Sequence, residues 1–73
     1  MHAIKVFSAA GDSTIAQWEA TDEAAAEIAR GIFDQAVAEG YAAVAPAEGG
    51  ARAVERFSPE ESEIFLLRPI AGG

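Results

Sequence analysis

The stretch from Thr21 to Gly40, TDEAAAEIARGIFDQAVAEG, commits the chain to one amphipathic helix, and that decides most of what the rest can be. Thr21 is placed to cap it, Asp22 and Glu23 put negative charge in the first turn where the helix dipole favours it, and Gly40 supplies the stop. Ala25, Ile28, Ala29, Ile32 and Ala36, with Phe33 and Val37 at the margin, form an apolar stripe, while Glu23, Glu27, Arg30 and Asp34 take the other side. Gly31 lies inside the stripe at a cost of about 1 kcal/mol relative to alanine, either to let the helix approach a neighbour closely or because it is tolerated there. The stripe needs an apolar surface to cover it. With 73 residues in all, no second long helix is available, so that surface must be a sheet.

The flanking segments supply the strands. His2 to Ser8 alternates, Ile4 and Val6 against Lys5 and Phe7, and Gly11-Asp12 supplies turn chemistry after it. A second strand is expected from Thr14 to about Glu19, although Ile15 and Trp18 fall on opposite faces and alternation does not say which is buried. Tyr41 to Ala45 reads as a short strand stopped by Pro46, followed by the loop AEGG. Arg52 to Phe57 alternates charged and apolar residues, the pattern of an edge or half-exposed strand. Ser58 to Glu61, SPEE, fits a capping box opening one helical turn, with Ser58 as cap, Pro59 at the first position and Glu61 reaching back. Glu63 to Arg68 is apolar on both faces, Ile64 and Leu66 on one and Phe65 and Leu67 on the other, the pattern of a central strand.

The expectation is therefore an α+β domain: a mixed sheet of four to five strands with one long helix packed on one face. A single helix leaves the opposite face to solvent. If Ile4, Val6, Ile64 and Leu66 meet the helix, then Phe7, Phe65 and Leu67 form an apolar patch on the open face, a candidate protein-binding face.

Composition removes several classes of function. A net charge of -7 disfavours nucleic acid, whose phosphates would be repelled, and a basic face on a partner protein suits the chain better. The absence of cysteine excludes disulfides, thiolate metal sites and a cysteine nucleophile. His2 has no second ligand nearby and reads as a surface residue, so no metal is expected. The acids from Glu60 to Glu63 read as a solvated face, and Ser8, Ser13, Ser58 and Ser62 have no base beside them in sequence. AAGDST lacks the glycine spacing and lysine of a phosphate loop. No signal-peptide pattern opens the chain and no apolar run reaches membrane-spanning length, so a cytoplasmic protein without membrane contact is expected.

The last residues carry the most specific signal. In AVERFSPEESEIFLLRPIAGG an apolar strand runs into a proline, a small apolar pair and Gly72-Gly73. This resembles the closing strand and tail of the bacterial sulfur carriers of molybdopterin and thiamine synthesis. It is also similar to the end of ubiquitin, where an arginine-bearing tail leads to the same two glycines. The element order resembles the β-grasp of the ubiquitin-like superfamily, with residues 1–68 as the domain and 69–73 as a flexible tail. The long helix, the short Gly40-Tyr41 link and the tryptophan of the second strand depart from the sulfur-carrier pattern.

The resemblance implies a protein that is a substrate and not an enzyme. An E1-like adenylating enzyme would use ATP to convert the carboxylate of Gly73 to an acyl-adenylate. Gly72, without a Cβ, would let the tail thread a narrow nucleotide site. Arg68, Pro69, Ile70 and Ala71 would form the recognised stem, with Pro69 limiting its entropy. Capture by a thiolate leads to transfer onto target proteins, with an E2-like enzyme and a deconjugating protease as further partners. Capture by sulfide leads instead to a thiocarboxylate that donates sulfur for cofactor biosynthesis. A third reading, an acidic protein-binding module, has no need of the tail. No cofactor is bound by the chain on any of these readings, ATP being used by the partner enzyme. Lys5 is the sole lysine, so it is the one internal acceptor through which chains could be built, and single modification or head-to-tail linkage is expected.

Overall fold

The structure, a computed structural model, describes residues 1–8 and 11–68. Its elements run β1 (His2–Ser8), β2 (Gly11–Trp18), α1 (Glu23–Ala38), β3 (Ala42–Ala47), β4 (Gly50–Ala53) and β5 (Glu63–Leu67). The strands form one five-stranded sheet in the order β2-β1-β5-β3-β4. β1 and β5 pair in parallel at its centre, and β1 with β2, β3 with β4 and β3 with β5 pair antiparallel. This is an α+β fold, a mixed sheet with one helix, and it is compatible with the β-grasp arrangement.

The helix begins one residue later than the sequence predicts. Asp22, not Thr21, is the cap: it adopts extended backbone and its Oδ1 accepts the Ala25 N–H at 3.0 Å. Aspartate satisfies an orphan amide as a threonine hydroxyl would, and adds charge at the positive end of the helix dipole. At the other end, Gly40 takes φ 101°, its N–H donates to Val37 O, and the Tyr41 N–H donates to Ala36 O. These two bonds are the Schellman pair, and the positive φ they require is why glycine stands there.

The buried stripe is rotated from its predicted centre. Ala29 and Phe33 are each 1% exposed, whereas Ile28 is 67% exposed. Phe33 is the helix's main anchor in a core with Ile4, Ile64, Leu66, Trp18, Ala43, Ala45 and Val54. The alanines flanking it bring the backbone of α1 close to the sheet, so one aromatic ring does the filling. Gly31 takes no part in this approach: it is exposed, and a Cβ built on it meets nothing within 4 Å.

Strand β2 starts at Gly11, three residues before its predicted start, and its pairing explains why alternation failed there. Ile4 pairs with Ala16 but Lys5 pairs with Thr14, so Ile15 is an extra residue that bulges the strand. A bulge reverses the inside-outside parity along a strand. Trp18 is 2% exposed beneath the helix and Ile15 is left 42% exposed.

Three further differences concern β3, β4 and the segment after them. Pro46 lies within β3, paired with Ala51, and does not end it. β5 pairs with β3 only from Ala42 to Val44, so at Pro46 that side of the strand has no neighbour and the missing N–H costs no ladder bond. β4 is Gly50–Ala53, earlier than the predicted Arg52 to Phe57. Val54 and Phe57 owe their place in the pattern to the core they help close and not to a strand, Val54 buried and Phe57 packed against Phe33 and Trp18. SPEE is a turn without a helix: the Glu61 N–H donates to Ser58 O at 3.2 Å and the Glu60 N–H to Ser58 Oγ at 3.3 Å. The Glu61 carboxylate does not reach back to the cap. It pairs with Arg52.

This irregular stretch is tied to the first two strands. The Trp18 indole N–H donates to Pro59 O at 2.9 Å, and His2 Nδ1 donates to Glu61 O at 2.6 Å. His2 also stacks on Trp18, with ring centroids 5.5 Å apart, so it is a half-buried structural side chain and not the plain surface residue that its isolation in sequence suggests.

Candidate functional site

The paired strands place side chains in rows across the face opposite α1. One row runs Ala53, Val44, Phe65, Lys5, Thr14, and the next runs Ala42, Leu67, Phe7, Asp12. The intervening rows, including Ile4 with Ile64 and Val6 with Leu66, point to the helix. The division of β1 and β5 between two faces therefore follows the sequence expectation, because strict alternation with no bulge holds along both strands.

Phe7, Phe65 and Leu67 come together on the open face. The rings of Phe7 and Phe65 stack with centroids 4.9 Å apart and planes 3° from parallel. They belong to diagonal positions on adjacent strands, a separation that long aromatic side chains bridge. Phe7 is 43% and Leu67 36% exposed, and Phe65 is half-buried between its neighbours. Val44, half-buried, and Ala42, exposed, extend the apolar surface across β3. Sequence reading did not include these two, although the alternation of Ala43 and Ala45 inward against Ala42 and Val44 outward carries that signal.

Lys5 lies in the same row as Phe65. Its ammonium is 3.0 Å from Glu63 Oε2. The Glu63 carboxylate, by hydrogen bond and by charge, raises the pKa of the Lys5 ammonium above its ordinary value; burial opposes this, and the charge of Asp12 makes the smallest contribution, in the same direction as Glu63. The pair spans the parallel strands β1 and β5 beside the aromatic stack.

Arg68 follows β5 directly and is exposed. It rims a groove of about 440 Å³ on the helix side, with Ile15 and Tyr41 also lining it and Val6, Ile32 and Leu66 forming its apolar wall. The bulge at Ile15 helps make this groove, and no periodicity in the sequence announces it. Pro69, Ile70, Ala71, Gly72 and Gly73 lie outside the described residues. Among the described residues, no three His, Asp or Glu side chains stand close enough together to hold a metal ion, and no helix is long and apolar enough to cross a membrane.

The described surface thus offers an apolar, partly aromatic face on a rigid sheet, flanked by an ion pair and continuous in sequence with Arg68. Such a surface can bind a partner protein. Comparison with protein-family models, with curated proteins and with solved structures finds no match for this chain.

Proposed function

We infer that this chain is a ubiquitin-like protein modifier, activated at Gly73 by an ATP-dependent E1-like enzyme and transferred to target proteins. The observation that carries the reading is the position of β5. It is the middle strand of a sheet ordered as in a β-grasp, and it leads straight into Arg68 and the sequence RPIAGG. A central strand is the most firmly held part of a sheet, so it gives the segment that follows a fixed point of departure.

The open face supports the same reading. Leu67 belongs to the row that includes Phe7 and immediately precedes Arg68, so a partner seated on Phe7, Phe65 and Leu67 would have the base of the tail beside it. Five residues span at most about 17 Å when extended, enough to enter a narrow nucleotide site while the sheet remains docked outside. In the activation step a carboxylate oxygen of Gly73 attacks the α-phosphorus of ATP and pyrophosphate leaves. An enzyme thiolate then attacks the glycyl carbonyl and AMP leaves. Glycine at both final positions keeps Cβ atoms out of that passage. The chain is a substrate in each step.

The test is incubation with ATP and a candidate adenylating enzyme, followed by mass analysis for an adenylate or thioester at Gly73, with the Gly73 deletion as control. Adducts that need Gly73 are expected, and adducts or cellular activity that persist without it would sink the reading. Recovery from cells of a C-terminal thiocarboxylate with no protein adducts would replace the modifier reading with that of a sulfur carrier. The same cytoplasmic setting is proposed for either.

A further inference from the structure

A protein attached to others through its own carboxylate can become a target of its own kind wherever it offers an amine. Lys5 is the only lysine in the chain. Acylation of a lysine requires the neutral amine: its lone pair attacks the thioester carbonyl, the thiolate leaves, and the surplus proton passes to a base or to water. Whatever keeps the amine protonated and held down keeps it from reacting.

The surroundings of Lys5 do both. Glu63 on β5 lies 3.0 Å from its ammonium, and Asp12 on β2 adds a second negative charge from the opposite side. Its direct neighbours in the row, Phe65 and Thr14, are uncharged, so Glu63, with a smaller contribution from Asp12, sets the field at the amine. Both favour the ammonium form, in agreement with the upward shift of its pKa. The side chain is only 28% exposed, and its strand is flanked by β2 and β5, so the amine does not stand on a loop or at a free edge. A thioester carried by an enzyme would have to come down onto the sheet next to the Phe7-Phe65 stack, where the activating partner is proposed to sit.

We propose that Glu63 closes Lys5 to acylation, so that the folded protein does not receive a further copy at its lysine. The biological meaning rests on the modifier reading above, whereas the closure is a property of this chain alone and is measured without any conjugating enzyme.

The experiment is trace acetylation with acetic anhydride over a range from neutral to alkaline pH, with the rate at Lys5 read by peptide mass spectrometry. Three samples are compared: the folded full chain, the same chain in urea, and folded Glu63→Gln, with Trp18 fluorescence reporting the fold. The expected result is several-fold slower labelling of Lys5 in the folded chain than in urea, a midpoint displaced to higher pH, and a gain of several-fold on Glu63→Gln. Equal rates and midpoints in folded and unfolded chain would overturn the proposal, as would a folded Glu63→Gln that labels no faster. If Glu63→Gln loses its fold, Asp12→Asn takes its place, with a smaller gain expected and no gain overturning the field argument. Failure to form an adenylate at Gly73 would remove the modifier reading and leave this profile unchanged. Conjugation that proceeds efficiently through Lys5 would overturn the closure and leave the modifier reading intact.

Discussion

Leu66 and Leu67 are neighbours in β5, identical in chemistry, and they belong to two different parts of the molecule. Leu66 is 0% exposed, facing Phe33 and the helix with Ile4 and Ile64 around it. Leu67 is 36% exposed, on the face that carries Phe7 and Phe65. Hydrophobicity alone does not say which leucine the fold needs. The helix side holds the buried core, with Leu66 at its border where the groove beside Arg68 begins. The open side has apolar residues that the fold leaves in contact with water.

The contrast is broken most sharply by truncating each leucine in turn. Leu66→Ala should cost about 2–5 kcal/mol, since it leaves a cavity in the buried core. A domain of this size has roughly 4–11 kcal/mol in all, so much of the chain should unfold, as urea titration followed by circular dichroism will show. Leu67→Ala should cost about 1 kcal/mol or less and move the urea midpoint far less than Leu66→Ala does. Similar losses at the two positions would mean that the open face is as much a part of the core as the helix side.

Next in size is Trp18→Phe, expected to cost about 1–3 kcal/mol in thermal or urea unfolding. The change keeps an aromatic ring beside His2 and Phe57 but withdraws the N–H from Pro59 O, so it measures how much the stretch from Val54 to Ser62 depends on that bond. Smaller, and opposite in sign, is Gly31→Ala. With open space around the new methyl group and helical backbone, it should stabilise by about 0.5–1 kcal/mol and raise the melting temperature. A loss there would show that α1 needs the glycine for an approach that the packing does not reveal.

The smallest effect concerns the ion pair on the open face. Lys5 has a folded-state pKa raised above its ordinary value of 10.5. Its contribution is therefore fully present below the unfolded pKa and is lost as pH rises through the folded one. Stability measured by urea titration should fall in the alkaline range above about pH 10. Glu63→Gln should flatten that fall, and an unchanged slope would mean that the pair contributes nothing to folding.

The parts of this architecture that were legible in the sequence are those where one local signal acts alone. Helix α1 announced itself by a capping segment, a stripe and a terminal glycine, and β1 and β5 by unbroken alternation. The open-face trio of Phe7, Phe65 and Leu67 followed from those two strands. Where two causes overlapped, reading failed. The bulge at Ile15 reverses parity within β2, so no single period describes the strand. Val54 and Phe57 are apolar because they cap the core from an irregular segment, and that spacing imitates a strand. Pro46 is permitted because β5 pairs with β3 only as far as Val44, which is a fact of tertiary pairing. Phe33, at the margin of the expected stripe, is buried and Ile28, within it, is exposed, because the sheet beneath the helix selects which part of a broad apolar stripe is covered, and an isolated helix contains no record of that choice. The groove beside Arg68 is likewise a product of the bulge and the helix together.

The parallel pairing of β1 with β5 also bears on how the protein is made. Strand β1 finds its central neighbour only when residues 63–67 have followed, and the helix has no complete floor to settle on until then. Long-range closure of this kind is slow compared with the formation of a helix or hairpin. A chain interrupted anywhere before Leu67 lacks the middle of its sheet and should be left to the proteases. Folding thereby acts as a check on length: a complete sheet forms only on a chain that has been made from β1 through β5.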